Sequence, residues 1–314
     1  MQVGILEPDR FDSAAIAELQ AMGHVVVPFD GVDLQAFLKP VQILFVRLAH
    51  HIDTDFLAQA PALLYICSPT TGHTHLDESA IASHGIKVVS LRGEQVFLET
   101  IRATPEHTFG LILALLRNYR GAFSHVEAGG WDRDLFRGEE LYGQRVGIVG
   151  LGRVGFRVAS YCEAFGAGVN YVDTRDVTAK SGWSRFAGVP QLIEASRIII
   201  LCASYVNGAA PLLGQAELAL LRGHYLVNTA RGELVDEDAL LAAIQGGRLA
   251  GVATDVLAHE TGGHQLAKWN AAAAGRNVIV TPHVGGATFT AMARTENFIV
   301  KKLAQIVDST ETNT

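Results

Sequence analysis

The stretch Gly150-Leu151-Gly152-Arg153-Val154-Gly155 places the tightest condition on the fold, because a strand must turn there directly into a helix. Residues 146–149 form a short apolar run, and residues 154–165 carry a helical pattern. Gly150 permits the tight turn, Gly152 lets the backbone approach a bound group, and Gly155 lets helix and strand pack closely. The helix start offers free N–H groups and a partial positive charge, a setting that suits a pyrophosphate.

The rest of the chain repeats this alternation, which implies parallel strands covered on both faces. Strand signals fall at 2–6, 24–27, 43–46, 63–67 and 86–89. Helical stretches separate them: one capped by Asp12-Ser13 and stopped by Gly23, others near 53–59 and 77–83. A single long helix is expected from about 105 to 125, with Pro105 in its first turn. A Gly- and charge-rich stretch at 129–144 precedes a second series, with strands at 145–149, 169–172, 198–202, 225–228, 251–254 and 278–281. Six such strands make a dinucleotide-binding unit. Residues 287–307 read as a helix that returns to the first domain, and 308–314 as a polar tail.

At 314 residues the chain is long enough for two domains, and its 49% hydrophobic content is ample for packed cores. A net charge of −7, with no basic run longer than Lys301-Lys302, argues against nucleic acid and gives no reason to expect an anionic membrane. Cys67, Cys162 and Cys202 lie far apart in apolar runs and read as buried thiols of a reducing compartment. The N-terminus carries acids where a signal peptide needs bases, and no apolar run approaches a membrane span, so a cytoplasmic location is expected.

An acid at the end of the next strand adds to the glycine turn. Asp173 stands eighteen residues past Gly155, where a carboxylate accepts the ribose hydroxyls and repels a 2′-phosphate, predicting NAD over NADP. Arg175 leaves a reservation, since a nearby guanidinium can help hold that phosphate. Three further polar groups follow strand ends, where open α/β sheets place their sites. Arg231 offers a forked cation for a carboxylate, His283 an acid/base near neutral pH, and Glu260 a carboxylate to orient and charge that histidine. Together they suit hydride transfer to a 2-keto acid; singly, an arginine after a strand also suits a surface ion pair, and a histidine before Gly-Gly a turn. His259 and His264 are separated by Gly262-Gly263 and cannot share a helix face, so no metal is expected. His50, His51, His73 and His75 read as exposed loop residues, and His107 as a packing or capping residue.

These residues match a family over most of the chain. The matching motifs include Thr71-Gly72 before His75-Leu76-Asp77, Glu106-His107-Thr108, Gly130-Trp131, the glycine turn, Asn228-Thr229-Ala230-Arg231-Gly232, and Thr281-Pro282-His283-Val284-Gly285-Gly286. The chain resembles the D-isomer-specific 2-hydroxyacid dehydrogenases. That resemblance implies an α/β fold of two doubly wound parallel-sheet domains, with a Rossmann NAD-binding domain (residues 100–287) inserted in a flavodoxin-like substrate domain (1–99 plus 288–314). It implies Arg231 as the substrate-binding arginine, His283 as acid/base and Glu260 as its partner. It further implies NAD contacts from Gly150, Gly152, Arg153, Val154, Gly155, Asp173, Thr108, Thr229, Ala230 and Asp255, the last on the nicotinamide amide. Arg47, Thr71 and Gly72 would face the substrate, and a homodimer would form through the insert near 105–140. Closure of the two domains would exclude water, with hinges near 99–104 and 286–288.

Three departures stand out: Thr261 where the family usually has proline, Ser204 where another proline is usual, and the charged Arg92-Gly93-Glu94 ahead of the hinge. They leave the substrate's side chain open. A different class stays in view, an NAD-sensing binding protein like the related corepressors. Formate dehydrogenases would call for Gln in place of Glu260.

Overall fold

The computed structural model describes residues 1–260 and 265–311, with side chains through Val307. The chain divides into two compact units, Met1–Ile101 with Ala287–Thr314, and Arg102–Gly286. Each is a parallel sheet between helices.

The first unit opens with β1 (Gln2–Ile5), α1 (Ser13–Ala21), β2 (Val25–Pro28), α2 (Leu34–Leu38) and β3 (Ile43–Phe45). It continues with α3 (Thr54–Leu57), β4 (Tyr65–Ser68), α4 (Glu78–Ser83), β5 (Lys87–Ser90) and α5 (Gln95–Leu98). The strands lie in the order β2-β1-β3-β4-β5, all parallel, which is the flavodoxin-like arrangement. Period-two alternation splits the core. Val3, Ile5, Ile43, Phe45 and Cys67 pack on one face, while Leu44, Ile66 and Leu57 pack on the other. The expected cap of α1 forms, with Asp12 Oδ1 accepting the Ala14 and Ala15 amides at 3.1 Å, and Asp77 Oδ1 caps α4 in the same way by accepting those of Ser79 and Ala80 at 3.0 Å.

The second unit begins with α6 (Ala103–Leu116) and α7 (Tyr119–Glu127). The single helix expected over 105–125 is therefore two. Asn118 breaks it by taking a left-handed conformation (φ 47°), which asparagine tolerates better than most residues. Arg120 then ties the new helix down by donating to Val278 O at 2.7 Å. After it come β6 (Arg145–Val149), α8 (Arg153–Ala164), β7 (Gly168–Val172), β8 (Ser184–Arg185) and α9 (Val189–Glu194). β9 (Ile198–Leu201), α10 (Gln215–Leu220), β10 (Tyr225–Asn228) and α11 (Glu237–Gln245) follow. β11 (Gly251–Thr254), α12 (Leu266–Ala273) and β12 (Val278–Val280) complete the unit.

Its seven parallel strands run β12-β11-β10-β9-β6-β7-β8. The seventh, unanticipated strand is β8, whose two residues pair with Asn170 and Tyr171 and are too few to show alternation. Central strands are covered on both faces: Ile198, Ile199, Ile200 and Leu201 are all fully buried. Each such aliphatic burial is worth about 1.5–3 kcal/mol before the chain entropy opposing it. The strand order reverses between β6 and β9, and open sheets of this kind bind ligands beside that reversal, at the carboxyl ends of the strands. The last helix, α13 (Phe289–Glu311), belongs to the first unit, where Ile299, Val300 and Leu303 join the face built by β1 and β3.

Candidate active site

β6 ends against the glycine turn. Gly150 has φ 91°, and a Cβ there would sit 2.7 Å from the backbone of Ala203 at the end of β9. A Cβ on Gly155 would lie 2.1 Å from Gly150 O, so only glycine lets α8 start this close to the strand. Above Gly152, the N-cap of α8, a Cβ would meet only Arg175 Nη2, at 3.5 Å. The turn is thus tight below and open above, with the amides of a twelve-residue helix directed at the opening. These features fit a dinucleotide pyrophosphate.

Asp173 follows β7 and closes one side of the turn, its Oδ2 accepting the Leu151 amide at 2.8 Å. Arg175 supplies three more donors to the same carboxylate. Burial acts to raise the Asp173 pKa, but the bonds from Arg175 and Leu151 outweigh it and hold the carboxyl below its usual range. Thr108 and Thr229, both buried, share a 2.6 Å hydrogen bond between hydroxyls.

Arg231 follows β10 on a loop folded by Asn228, whose side chain donates to Arg231 O at 2.9 Å and accepts the Ala230 amide at 3.0 Å. Burial pulls the Arg231 pKa down, while Glu260 and Glu233 support its charge. Glu260 belongs to the loop after β11. Its Oε1 accepts the Leu257 amide at 3.0 Å, and His283 Nδ1 donates to its Oε2 at 2.6 Å. Neither ring nor carboxylate is sealed off, with side chains 27% and 34% exposed. A proton shared at Nδ1 leaves Nε2 as the ring's other donor or acceptor.

The backbone of His283 is unusual. It takes φ 53°, and its amide donates to Asp255 O at 2.8 Å and Thr281 O at 3.0 Å. Asp255, 2% exposed, then gathers the whole segment. Its carboxylate accepts the Val284 amide (2.9 Å), the Gly285 amide (2.7 Å) and the Thr281 hydroxyl (2.6 Å). His107 Nε2 approaches the same carboxylate at 3.3 Å and Thr281 Oγ1 at 3.2 Å. Burial would raise the Asp255 pKa, yet these donors lower it. Asp255, assigned by resemblance to the nicotinamide amide, therefore also holds the segment that presents His283. His107, read as a packing or capping residue, is one of its donors; no local pattern ties residue 107 to residue 255.

Glu237 was likewise missed. Its Oε1 accepts Trp269 Nε1–H at 2.8 Å and the Ala258 amide at 3.3 Å, bracing the loop that carries Glu260. Gly232 supports that loop by having no side chain: a Cβ would fall 2.0 Å from Leu257 C and 2.2 Å from Ala258 N. Gly232→Ala is accordingly expected to cost about 1–3 kcal/mol by overpacking. It should lower the melting midpoint by a few degrees and pull Glu260 from His283; calorimetry and steady-state rates would show both, and an unchanged melt would refute the clash.

The first unit holds Arg47, Thr71 and Gly72. The Arg47 guanidinium already donates to Glu296 Oε1 at 2.5 Å and Asp9 O at 3.0 Å, and lies over the Phe11 ring. Its charge is matched by a carboxylate 1% exposed, so in this arrangement it serves the unit's own interior. Thr71 is exposed, and Gly72 O accepts the Thr70 hydroxyl at 3.0 Å. His73 and His75, expected on the surface, are 8% and 2% exposed. His73 is drawn inward by Glu78 at Nδ1 (2.7 Å) and Ser90 Oγ at Nε2 (2.9 Å).

All three cysteines are free thiols, with burial pushing Cys162 and Cys202 up to about 12. Among the described residues, no helix is long and apolar enough to cross a membrane. Thr261 and His264, weighed above, lie outside the described residues.

Residues 109–285 match the family model for the NAD binding domain of D-isomer specific 2-hydroxyacid dehydrogenases. The chain is 29% identical over 311 residues to a D-3-phosphoglycerate dehydrogenase of Methanocaldococcus jannaschii, covering 97% of this chain and 57% of that protein. It thus spans little more than half of that relative's length. It is 32% identical over 263 residues to a glyoxylate reductase of Aeropyrum pernix, covering 80% of this chain and 75% of that one. Among solved structures, the D-lactate dehydrogenase of Aquifex aeolicus complexed with NAD and lactic acid superposes with a TM-score of 0.83 at 25% identity, over 98% of this chain and 96% of that chain.

Proposed function

The chain belongs to the D-isomer specific 2-hydroxyacid dehydrogenase family, and from that premise we propose that it reduces a small 2-keto acid, or oxidises the matching D-2-hydroxy acid, with NAD. The observation that carries this reading is the 2.6 Å hydrogen bond between His283 Nδ1 and Glu260 Oε2, on a loop adjoining the Arg231 loop. NAD supplies or takes up the hydride. Arg231 grips the substrate carboxylate with two parallel N–H groups, fixing which carbon is presented. His283 gives its Nε2 proton to the carbonyl oxygen during reduction and takes it back during oxidation. Glu260 fixes the tautomer and stabilises the imidazolium.

Gly150, Gly152, Arg153, Val154 and Gly155 would hold the pyrophosphate, and Asp173 the adenine-side ribose. Thr108, Thr229, Ala230 and Asp255 would line the nicotinamide side. The unit Arg102–Gly286 would bind the nucleotide, and Thr71 and Gly72 would contact the substrate. We assign Arg47 a smaller part there, because Glu296 already engages it. Screening glyoxylate, hydroxypyruvate, pyruvate and phenylpyruvate with NADH tests the reading. Turnover of at least one is expected. NADH binding without turnover of any would favour the NAD-sensing reading instead.

A homodimer through the second unit is part of the proposal. What supports it is that no residue of α7 is buried and that Phe123 (61% exposed), Val126 (53%) and the nearby Trp131 (92%) leave large apolar side chains uncovered along this segment. Phe123→Arg is expected to convert dimer to monomer at micromolar concentration in sedimentation velocity. A wild-type protein that sediments as a monomer would refute the dimer.

A further inference from the structure

The turn after β7 bears on which nucleotide the chain accepts, an inference that rests on the nucleotide-binding reading above. A solitary aspartate there shows the ribose a full negative charge, which accepts hydroxyls and repels a 2′-phosphate. Asp173 is not solitary. Its Oδ1 accepts the Arg175 amide at 2.9 Å and Nε–H at 3.2 Å, and its Oδ2 accepts Arg175 Nη2–H at 3.2 Å beside the Leu151 amide. The Asp173 side chain is 5% exposed and that of Arg175 68%, so the charge this pair shows to solvent is the arginine's.

The guanidinium can turn without moving the backbone beneath it. Arg185 fixes the turn separately, its Nη2 donating to Asp173 O at 3.0 Å and Arg175 O at 2.8 Å, and its Nη1 to Asp176 at 3.3 Å. Asp173 would keep two backbone donors, the amides of Leu151 and Arg175, after the guanidinium leaves. Arg175 Nη2 also stands 3.5 Å from where a Gly152 Cβ would be, beside the opening of the phosphate turn. One exposed cation therefore sits between the ribose-binding acid and the pyrophosphate site.

We infer that Arg175 sets the cofactor range: paired with Asp173 it leaves the ribose hydroxyls acceptable, and turned outward it takes a 2′-phosphate, so that the chain binds NADPH as well as NADH. Guanidinium and phosphate meet through two parallel charge-assisted hydrogen bonds, a pairing at least as well matched as the one with the carboxylate. With the guanidinium turned, the Leu151 and Arg175 amides still offset part of the Asp173 charge, and the arginine's own charge opposes the repulsion that otherwise excludes the phosphate.

The test is the equilibrium affinity of the whole protein for NADH and NADPH, read from nicotinamide fluorescence without substrate, in wild type and Arg175→Ala. Wild type is expected to bind NADPH within about tenfold of NADH, the scale of one charge-assisted contact. In Arg175→Ala the ratio of NADPH to NADH dissociation constants should rise fivefold or more, with NADH binding somewhat tighter because Asp173 is released. A smaller rise, with NADH still bound, overturns the role of Arg175 alone. Failure of both proteins to bind either nucleotide overturns it together with the reading on which it rests.

Discussion

Replacing His283 by alanine should lower the rate of keto-acid reduction by about 10²–10⁴-fold, the span expected when a positioned acid is removed from a proton transfer. NADH affinity, read by fluorescence, should stay within a few-fold, because the phosphate turn is built from β6 and α8 and not from the His283 segment. Glu260→Gln should cost at least about tenfold. It keeps a polar group 2.6 Å from Nδ1 but removes the charge, and its amide can present N–H where the ring needs an acceptor. The expected order is wild type above Glu260→Gln above His283→Ala. A His283→Ala protein within a few-fold of wild type would remove the acid/base role.

Arg231→Ala carries the second large effect. Loss of one partner from a desolvated, hydrogen-bonded charge pair costs about 2–5 kcal/mol, so kcat/KM for a keto acid should fall by about 30-fold or more. The control is chemical: a simple aldehyde or ketone without the carboxylate should be reduced slowly by both proteins, at rates differing by less than a few-fold. Equal losses for both substrate types would mean that Arg231 supports the loop and does not grip the carboxylate. Arg231→Lys should recover only part of the rate, since an ammonium lacks the planar fork. Burial of Arg231, opposed by the charges of Glu260 and Glu233, makes it a cation whose desolvation is already partly borne by the fold.

Much of the architecture was legible because it is written locally. Strands such as Ile198–Leu201 are buried on both faces and so are continuously apolar, and the glycine turn marks its own position between strand and helix. The break between α6 and α7 was not legible, since Asn118 stands in a continuous helical pattern and only its φ of 47° reveals the turn. β8 has two residues and no period. In the candidate site, the residue types at strand ends suggested the chemistry, and resemblance, more than spacing, pointed to Glu260 beside His283. Partnerships across long sequence separations stayed hidden: His107 with Asp255, Arg47 with Glu296, and His73 with Ser90. Each joins residues whose local surroundings say nothing of the other. The buried histidines show the same limit, because loop composition suggested exposure while Glu78 and Ser90 made burial affordable for His73.

The left-handed backbone at His283 narrows what may replace it. Most side chains in that conformation cost about 1 kcal/mol or more, glycine is free of the penalty, and asparagine bears it best among the rest. An alanine there perturbs a main chain that Asp255 holds through the amides of Val284 and Gly285, as well as deleting the imidazole. Asparagine is thus the substitution that isolates chemistry from geometry. In a library of variants at this position selected for folding alone, histidine, asparagine and glycine should be enriched and β-branched residues lost.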